Sequence, residues 1–308
     1  MKSCAPFVSN LSRRNVDCPI EKTGHMENCV DLNIGIDDFG SLSDFVYRKA
    51  GIRFEAKKLY FLSKRIQRRM QDLGIATASE YIRNLRFSDP NGIEFQNLIN
   101  LLTVNETYFF RDFPQLQSFA EHCLPELAAR KASRGDTVLR ILSAGCSTGE
   151  EPYTLAIILL EMLDNIKGWK VEILACDIDL NVLGKARRAV YETRSVKDVP
   201  PEYLPRYFNK NPEGSYSLKN EVKRMVRFEH MNLAEKGMLR RQGTFDFVFC
   251  RNVLIYFDDV SRKQMVDRFY VALDPRGYIF LGSSESVGRI TTGFGIRRAG
   301  GHLVYYKE

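Results

Sequence analysis

The sequence of 308 residues lacks several features that would place it in a common class of protein. No apolar run approaches the roughly 18 residues that cross a membrane as a helix, so we expect no membrane insertion. The amino terminus, MKSCAPFVSNLSRRNVDC, has no continuous apolar core of a secretory signal, which indicates a cytoplasmic protein. The 7 cysteines have irregular spacing and no CxxC pair, which argues against disulfides, a zinc site or any other metal centre.

Charge and periodicity divide the chain. The net charge of +7 suggests an acidic partner, which could be nucleic acid, a membrane or a protein. Residues 1–35 are polar and aperiodic, and we expect a disordered leader. A helical pattern predicts an all-α domain over 36–103, and residues 104–135 are expected to form a linker and the first helix of the next domain.

One predicted helix of this domain has an apolar and a basic face. The apolar positions recur at helical spacing and are Leu59, Leu62, Ile66, Met70 and Leu73. The basic positions occupy a sector about 140° wide and are Lys57, Lys58, Lys64, Arg65, Arg68 and Arg69. Such a stripe is either a solvated outer face or a docking surface for an acidic partner. The near-absence of acids within the helix favours docking.

Strands and helices alternate over 136–308. The predicted strands are Val138–Leu142, Val171–Cys176, Val226–His230, Phe245–Cys250 and Tyr278–Leu281. The predicted helices are Glu150–Leu163, Asn181–Ala189 and about 260–273. This alternation predicts an α/β domain with a mostly parallel sheet covered on both faces. The chain end, GIRRAGGHLVYYKE, predicts a hairpin of antiparallel edge strands, and residues 204–228 a small β-rich insertion.

A glycine turn follows the first predicted strand, in the segment LRILSAGCSTGEEP at 139–152. Strand, glycine turn and helix build a nucleotide-type pocket, in which Gly145 and Gly149 allow close approach of a ligand. The turn lacks both the GxGxxG spacing of dinucleotide sites and the Lys-Ser/Thr ending of phosphate loops. Glu150 and Glu151 would repel a diphosphate at the helix amino terminus but suit a cationic ligand. The turn therefore indicates S-adenosyl-L-methionine rather than NAD or ATP.

Polar residues follow two further strands. Asp177 ends the second strand, where a carboxylate can accept both ribose hydroxyls, while Asp179 is placed to cap the next helix. Arg251 and Asn252 end the fourth strand at the same rim, with Tyr256 four residues later; the alternative for this pair is a plain loop. The segment NETYFFRD at 105–112, taken alone, is more typical of a packed linker than of a site.

Together these segments resemble the chemotaxis receptor methyltransferases, the CheR-type protein-glutamate O-methyltransferases. The resemblance covers nearly everything from Ser41 onward and rests on N-x-T-x-F-F-R-D at 105–112, S-A-G-C-S-T-G-E-E-P-Y at 143–153, D-I-D at 177–179 and F-C-R-N-V-x-I-Y-F at 249–257. It implies a Rossmann-like class I S-adenosylmethionine methyltransferase sheet with a small antiparallel β-insertion, preceded by an all-α domain.

The resemblance also implies roles for single residues. Arg111 and Tyr256 would handle the substrate carboxylate. The implied cofactor-binding residues are Asn105, Thr107, Arg111, Gly145, Glu151, Asp177, Asn232, Leu233, Arg251 and Asn252. The basic stripe would dock on the methylation helices of chemoreceptors, and the insertion grips a receptor tail peptide in some members. We expect a monomer that esterifies receptor glutamates and does not act on nucleic acid.

Two other functions stay open at this stage: a methyltransferase with a different acceptor, and a non-catalytic signalling module that keeps the cofactor as a ligand. Cys146, Cys176 and Cys250 are predicted at the ends of three strands of the sheet. Small buried hydrophobes are the ordinary explanation for them, and a redox-sensitive pocket is the alternative.

Overall fold

The computed structural model describes residues 34–54, 59–286 and 293–308. The predicted leader thus lies almost wholly outside the described residues. The helices are α1 (Ile36–Ala50), α2 (Leu59–Asp72), α3 (Ala78–Phe87), α4 (Ile93–Leu102), α5 (Phe113–Ser118), α6 (Leu124–Ala132), α7 (Glu150–Met162), α8 (Leu180–Arg188), α9 (Tyr203–Tyr207), α10 (Asn220–Lys223), α11 (Met238–Arg241) and α12 (Asp259–Ala272). The strands are β1 (Val138–Ala144), β2 (Lys170–Asp177), β3 (Val190–Tyr191), β4 (Phe208–Lys210), β5 (Tyr216–Leu218), β6 (Val226–His230), β7 (Phe245–Cys250), β8 (Leu273–Leu281), β9 (Phe294–Ala299) and β10 (His302–Lys307).

Helices α1 to α4 enclose a hydrophobic core of their own. The apolar face predicted for α2 is buried at Leu62, Ile66 and Met70. Leu73 follows the last residue of α2 and is 41% exposed, because the chain leaves the helical path there. The all-α domain expected before the sheet is thereby confirmed.

A seven-stranded sheet with the order β6-β2-β1-β7-β8-β10-β9 forms the centre of the second domain. Its first five strands are mutually parallel, and β10 runs antiparallel to both of its neighbours. The predicted parallel sheet with a carboxyl-terminal hairpin is confirmed. The strand order reverses between β1 and β7, and such a switch point opens a crevice at the carboxyl ends of the strands.

A separate three-stranded antiparallel sheet has the order β3-β5-β4. The insertion therefore exists, but its predicted bounds of 204–228 are inaccurate. Its first strand is Val190–Tyr191, which is too short to show a periodicity, and Val226 already belongs to the central sheet through β6.

Within the three described ranges, no helix combines the length and the apolar character that a membrane span needs.

Candidate functional site

A pocket lies at the carboxyl ends of β1, β2 and β7. Every residue that the family resemblance implied for cofactor binding lines it, and so does Tyr256. These residues come from five separate stretches of chain, which the parallel sheet and the linker bring together. Their individual roles stay predictions, and the hydrogen bonds described next limit what each can do.

The glycine turn after β1 brings the backbone against the opposite wall of the pocket. Gly145 has a φ of +75°, and a Cβ there would lie 2.3 Å from Cγ2 of Val253. The Gly145 N–H donates to the carbonyl of Cys176 at 2.8 Å, which ties the turn to the end of β2. Glycine is required here for conformation and for space.

Gly145→Ala is expected to destabilise the protein by about 3 kcal/mol, since the strained φ and the overlap with Val253 each cost about 1–3 kcal/mol. Urea unfolding of the cofactor-free protein measures this. Gly214→Ala is the matched control, because Gly214 has a φ of +87° and a Cβ there would meet no atom within 4 Å. Equal destabilisation of the two variants would show that Val253 yields without cost.

Asp177 is buried at the end of β2, with 7% of its surface exposed. One carboxylate oxygen accepts the Ser147 N–H at 2.8 Å and the other accepts the Asp179 N–H at 3.0 Å. Burial raises the pKa of Asp177 to about 6, although these backbone donors oppose the rise. Each oxygen keeps a lone pair that can accept a hydroxyl from the pocket.

Asp179 caps α8, as the sequence suggested. Its Oδ1 accepts the N–H groups of Asn181 and Val182. Its Oδ2 accepts the hydroxyl of Thr103 at 2.8 Å and the amide of Asn105 at 3.0 Å. The side-chain nitrogen of Asn105 therefore anchors the linker to the loop that carries Asp177.

Arg251 joins three parts of the site. Its guanidinium lies 3.3 Å from Oε2 of Glu151 and donates to Oδ2 of Asp112 at 2.8 Å and to the carbonyl of Arg111 at 2.6 Å. Glu151 also accepts the hydroxyl of Ser143 at 2.7 Å. Burial raises the pKa of Glu151, with Arg251 as the main opposing influence.

Only one of the two carboxylates after the glycine turn lines the pocket. Glu150 is buried, accepts the Thr148 hydroxyl at 2.6 Å and has a pKa raised by burial. Consecutive helical residues point about 100° apart, so Glu150 and Glu151 do not face one ligand together. The prediction that both select a cationic ligand is therefore wrong for Glu150.

Arg111 and Tyr256 lie at the same pocket. Arg111 donates to the carbonyl of Glu106 at 2.7 Å, and its guanidinium lies 5.8 Å from the ring centre of Tyr108. The Tyr256 hydroxyl donates to the carbonyl of Val104 at 3.2 Å. Burial raises the pKa of Tyr256, with Arg111 acting against the rise, so the hydroxyl is protonated at neutral pH.

The helical domain supplies a wall of the pocket that sequence reasoning missed. Its contributions are apolar and carry no motif, and they include Ile52, Phe54 and Leu102. Hydrogen bonds hold this wall in place. The amide of Asn232 donates to the carbonyl of Lys49 at 2.7 Å, and the Arg53 N–H donates to the carbonyl of Tyr256 at 3.1 Å.

The pocket residues fit an adenosyl amino acid. Two buried polar atoms of the lining, Oγ of Ser147 and Nε of Arg251, have no hydrogen-bond partner in the described part of the chain. Unpaired buried donors are costly, which favours a ligand that bears acceptors, such as a carboxylate for Arg251. Asp177 suits ribose hydroxyls, Glu151 suits an ammonium group, and the apolar wall suits a purine ring.

Of the described residues of the basic stripe, two bind to other parts of the protein and two are exposed. Lys57 and Lys58 lie outside the described residues. Arg69 forms an ion pair with Glu94 of α4 at 2.5 Å, and Arg65 donates to the carbonyl of Leu101 at 2.5 Å. Lys64 and Arg68 are exposed. The near-absence of acids within α2 did not reveal the partner of Arg69, because that acid, Glu94, comes from another helix.

The cysteines at the strand ends are buried. Cys146, Cys176 and Cys250 all have thiol pKa values raised by burial, so these thiols are neutral at physiological pH. Thiolate is the reactive form, and the environment therefore favours the ordinary explanation of small buried hydrophobes.

Each of the two domains of the chain matches a known family model. The family model described as "CheR methyltransferase, all-alpha domain" matches residues 37–103, and "CheR methyltransferase, SAM binding domain" matches 105–299. The chain is 41% identical over 270 residues to chemotaxis protein methyltransferase 2 of Vibrio cholerae, covering 88% of this chain and 92% of that protein. It is 36% identical over 271 residues to the chemotaxis protein methyltransferase of Escherichia coli, covering 87% and 89%.

Proposed function

Because the chain belongs to the CheR methyltransferase family, we propose that it esterifies glutamate side chains on the cytoplasmic helices of chemoreceptors. The family models and the relatives support S-adenosyl-L-methionine-dependent methylation in chemotaxis, and the family match confirms the predicted cofactor. The receptor, the glutamate acceptor, the cytoplasmic location and the monomeric state belong to the proposal.

The observation that carries the glutamate acceptor is the presence of two hydrogen-bond donors, Arg111 and Tyr256, at the cofactor pocket. A planar guanidinium and a phenol hydroxyl can both bind a carboxylate. They give an anionic acceptor more stabilisation than an amine would receive.

The reaction needs little from the protein beyond alignment. The bound cofactor supplies an electrophilic methyl group on a sulfonium. A glutamate carboxylate is already ionised at neutral pH, so no strong general base is required. Arg111 would orient the carboxylate, and the Tyr256 hydroxyl would leave the carbonyl of Val104 and donate to one of the carboxylate oxygens. A tight ion pair would lower the nucleophilicity of that carboxylate, so Arg111 should hold it loosely and in line with the methyl group.

We propose Lys64 and Arg68 as the receptor-docking part of the basic stripe, because both are exposed on α2. A double variant, Lys64→Glu with Arg68→Glu, is expected to raise the KM for receptor about tenfold with kcat unchanged. Exposed charges act mainly on encounter and register, so the loss should shrink at high salt. Arg134→Glu with Lys167→Glu, at two exposed positions outside α2, makes the same change in net charge and is the control. If the KM for receptor of the double variant is unchanged at low salt, α2 does not take part in docking.

The proposal is tested by incubating the protein with methyl-labelled cofactor and receptor-containing membranes, followed by mild base. Volatile labelled methanol released from the receptor band supports a carboxyl methyl ester. Base-stable label would indicate another acceptor such as nitrogen, and no label with intact cofactor binding would indicate a non-catalytic module. Receptor with its methylatable glutamates changed to alanine is the matched control.

A further inference from the structure

Glu285 holds the loop that follows β7, although it does not itself line the pocket. That loop begins at Arg251 and ends at Tyr256, and it carries Asn252 and Val253 between them. All four of these side chains line the pocket. The loop after the adjacent strand β8 carries Glu285. The two loops are neighbours because β7 and β8 pair in parallel, with Cys250 opposite Leu281.

The carboxylate of Glu285 accepts three backbone N–H groups. Oε2 accepts those of Asn252 at 2.9 Å and Gly282 at 2.7 Å, and Oε1 accepts that of Ile255 at 3.2 Å. Two of these donors belong to the pocket loop. Hydrogen bonds to an ionised acceptor are shorter and stronger than neutral ones, so one side chain fixes both ends of this short loop.

The three hydrogen bonds to the carboxylate of Glu285 form a clamp, and two local features depend on it. Asn252 has a φ of +59°, a left-handed conformation that a non-glycine residue keeps only when its surroundings enforce it. Gly282 leaves the space in which the clamp closes, since a Cβ there would lie 2.8 Å from Oε2 of Glu285 and 2.9 Å from the Asn252 nitrogen.

We propose that Glu285 is a positioning residue for the cofactor site. By holding Asn252 and Ile255, it sets the direction of the Arg251 guanidinium toward Glu151. It also fixes the position of the Val253 side chain against Gly145. This role of Glu285 affects binding of the cofactor and does not depend on which acceptor is methylated.

Two kinds of substitution loosen the clamp from opposite sides. Glu285→Gln keeps the size but replaces one acceptor oxygen with an NH₂ group, which would face a backbone N–H. Gly282→Ala leaves Glu285 intact and forces a methyl group between it and Asn252. Glu285→Ala removes the carboxylate altogether. Glu213→Gln, at an exposed position in the turn between β4 and β5, is the matched control.

The test measures binding of S-adenosyl-L-homocysteine to the full chain by calorimetry, together with thermal unfolding without ligand. We expect about tenfold weaker binding for Glu285→Gln and Gly282→Ala, a larger loss for Glu285→Ala, and no change for Glu213→Gln. In turnover assays, the KM for cofactor should rise while the KM for receptor stays constant.

Wild-type affinity in both Glu285→Gln and Gly282→Ala would overturn the proposal, even if both variants unfold at lower temperature, because the clamp would then be only structural. These two mild variants decide the question if Glu285→Ala does not fold. The binding measurement uses no acceptor, so it is independent of whether glutamate is the substrate.

Discussion

Arg111→Ala is expected to lower kcat by about two to three orders of magnitude, the usual effect of removing one donor aimed at the reacting group. The affinity for S-adenosyl-L-homocysteine should fall less than tenfold, since Arg251, Asp177 and Glu151 remain in the pocket. Single-turnover kinetics at saturating receptor and calorimetric binding of the product measure the two effects separately.

Two companion variants sharpen this result. Arg111→Lys keeps the charge but loses the planar fork, so we expect it to recover only part of kcat. Arg134→Ala removes an exposed arginine elsewhere and should leave both quantities unchanged. Equal losses of turnover and cofactor affinity in Arg111→Ala would show that Arg111 acts mainly on the cofactor.

Asp177→Asn is expected to weaken cofactor binding by about 100-fold, because a buried ionised acceptor for two hydroxyls is replaced by a neutral one. The raised pKa adds a pH dependence. In the folded protein Asp177 ionises above about 6, against an ordinary value of 3.8. Cofactor affinity should therefore be high above that pH and fall as the pH decreases through it.

The stability of the cofactor-free protein should change in the opposite direction. A carboxyl whose pKa is raised by folding stabilises the folded state below its ordinary pKa of 3.8, and this contribution is lost as the pH rises through about 6. Urea unfolding and calorimetric binding across this range measure both trends.

The pH profile of Asp177→Asn should be flatter than that of the wild type. Glu151 also has a pKa raised by burial, so Glu151→Gln must be measured in parallel. Asp164→Asn, at an exposed position, is the control for a lost charge. If Glu151→Gln flattens the profile and Asp177→Asn does not, the titrating group was assigned to the wrong residue.

The local pattern of apolar and polar residues was enough to predict most of the fold. The periodicity of buried strands predicted β1, β2 and β7 to within a few residues, and β8 in its buried second half, because these segments are largely apolar on both faces. It also predicted β6, an edge strand in which the apolar residues Val226 and Phe228 alternate with polar ones. It did not find β3, which has two residues and exists only through pairing with β5. Strand order was likewise beyond periodicity, since pairing depends on contacts between distant segments.

For the site, the sequence by itself determined which chemical groups are available: the glycines of the turn, Asp177, Glu151, Arg111, Arg251 and Tyr256. The glycines, Asp177, Glu151 and Arg251 follow from residue type and from position at or just after strand ends, which are local properties, whereas Arg111 and Tyr256 were implied by the resemblance to the family. The glycine turn also indicated the cofactor, and the family match confirms it.

The tertiary structure decided how those groups are used. It turned Glu150 away from the pocket, paired Arg69 with Glu94, directed the amide of Asn105 to Asp179, and closed Glu285 on the loop of Asn252. Each of these contacts except the first joins residues at least 25 positions apart in the chain. Direction and partner depend on packing between such distant segments, whereas residue type and periodicity are properties of neighbouring residues alone.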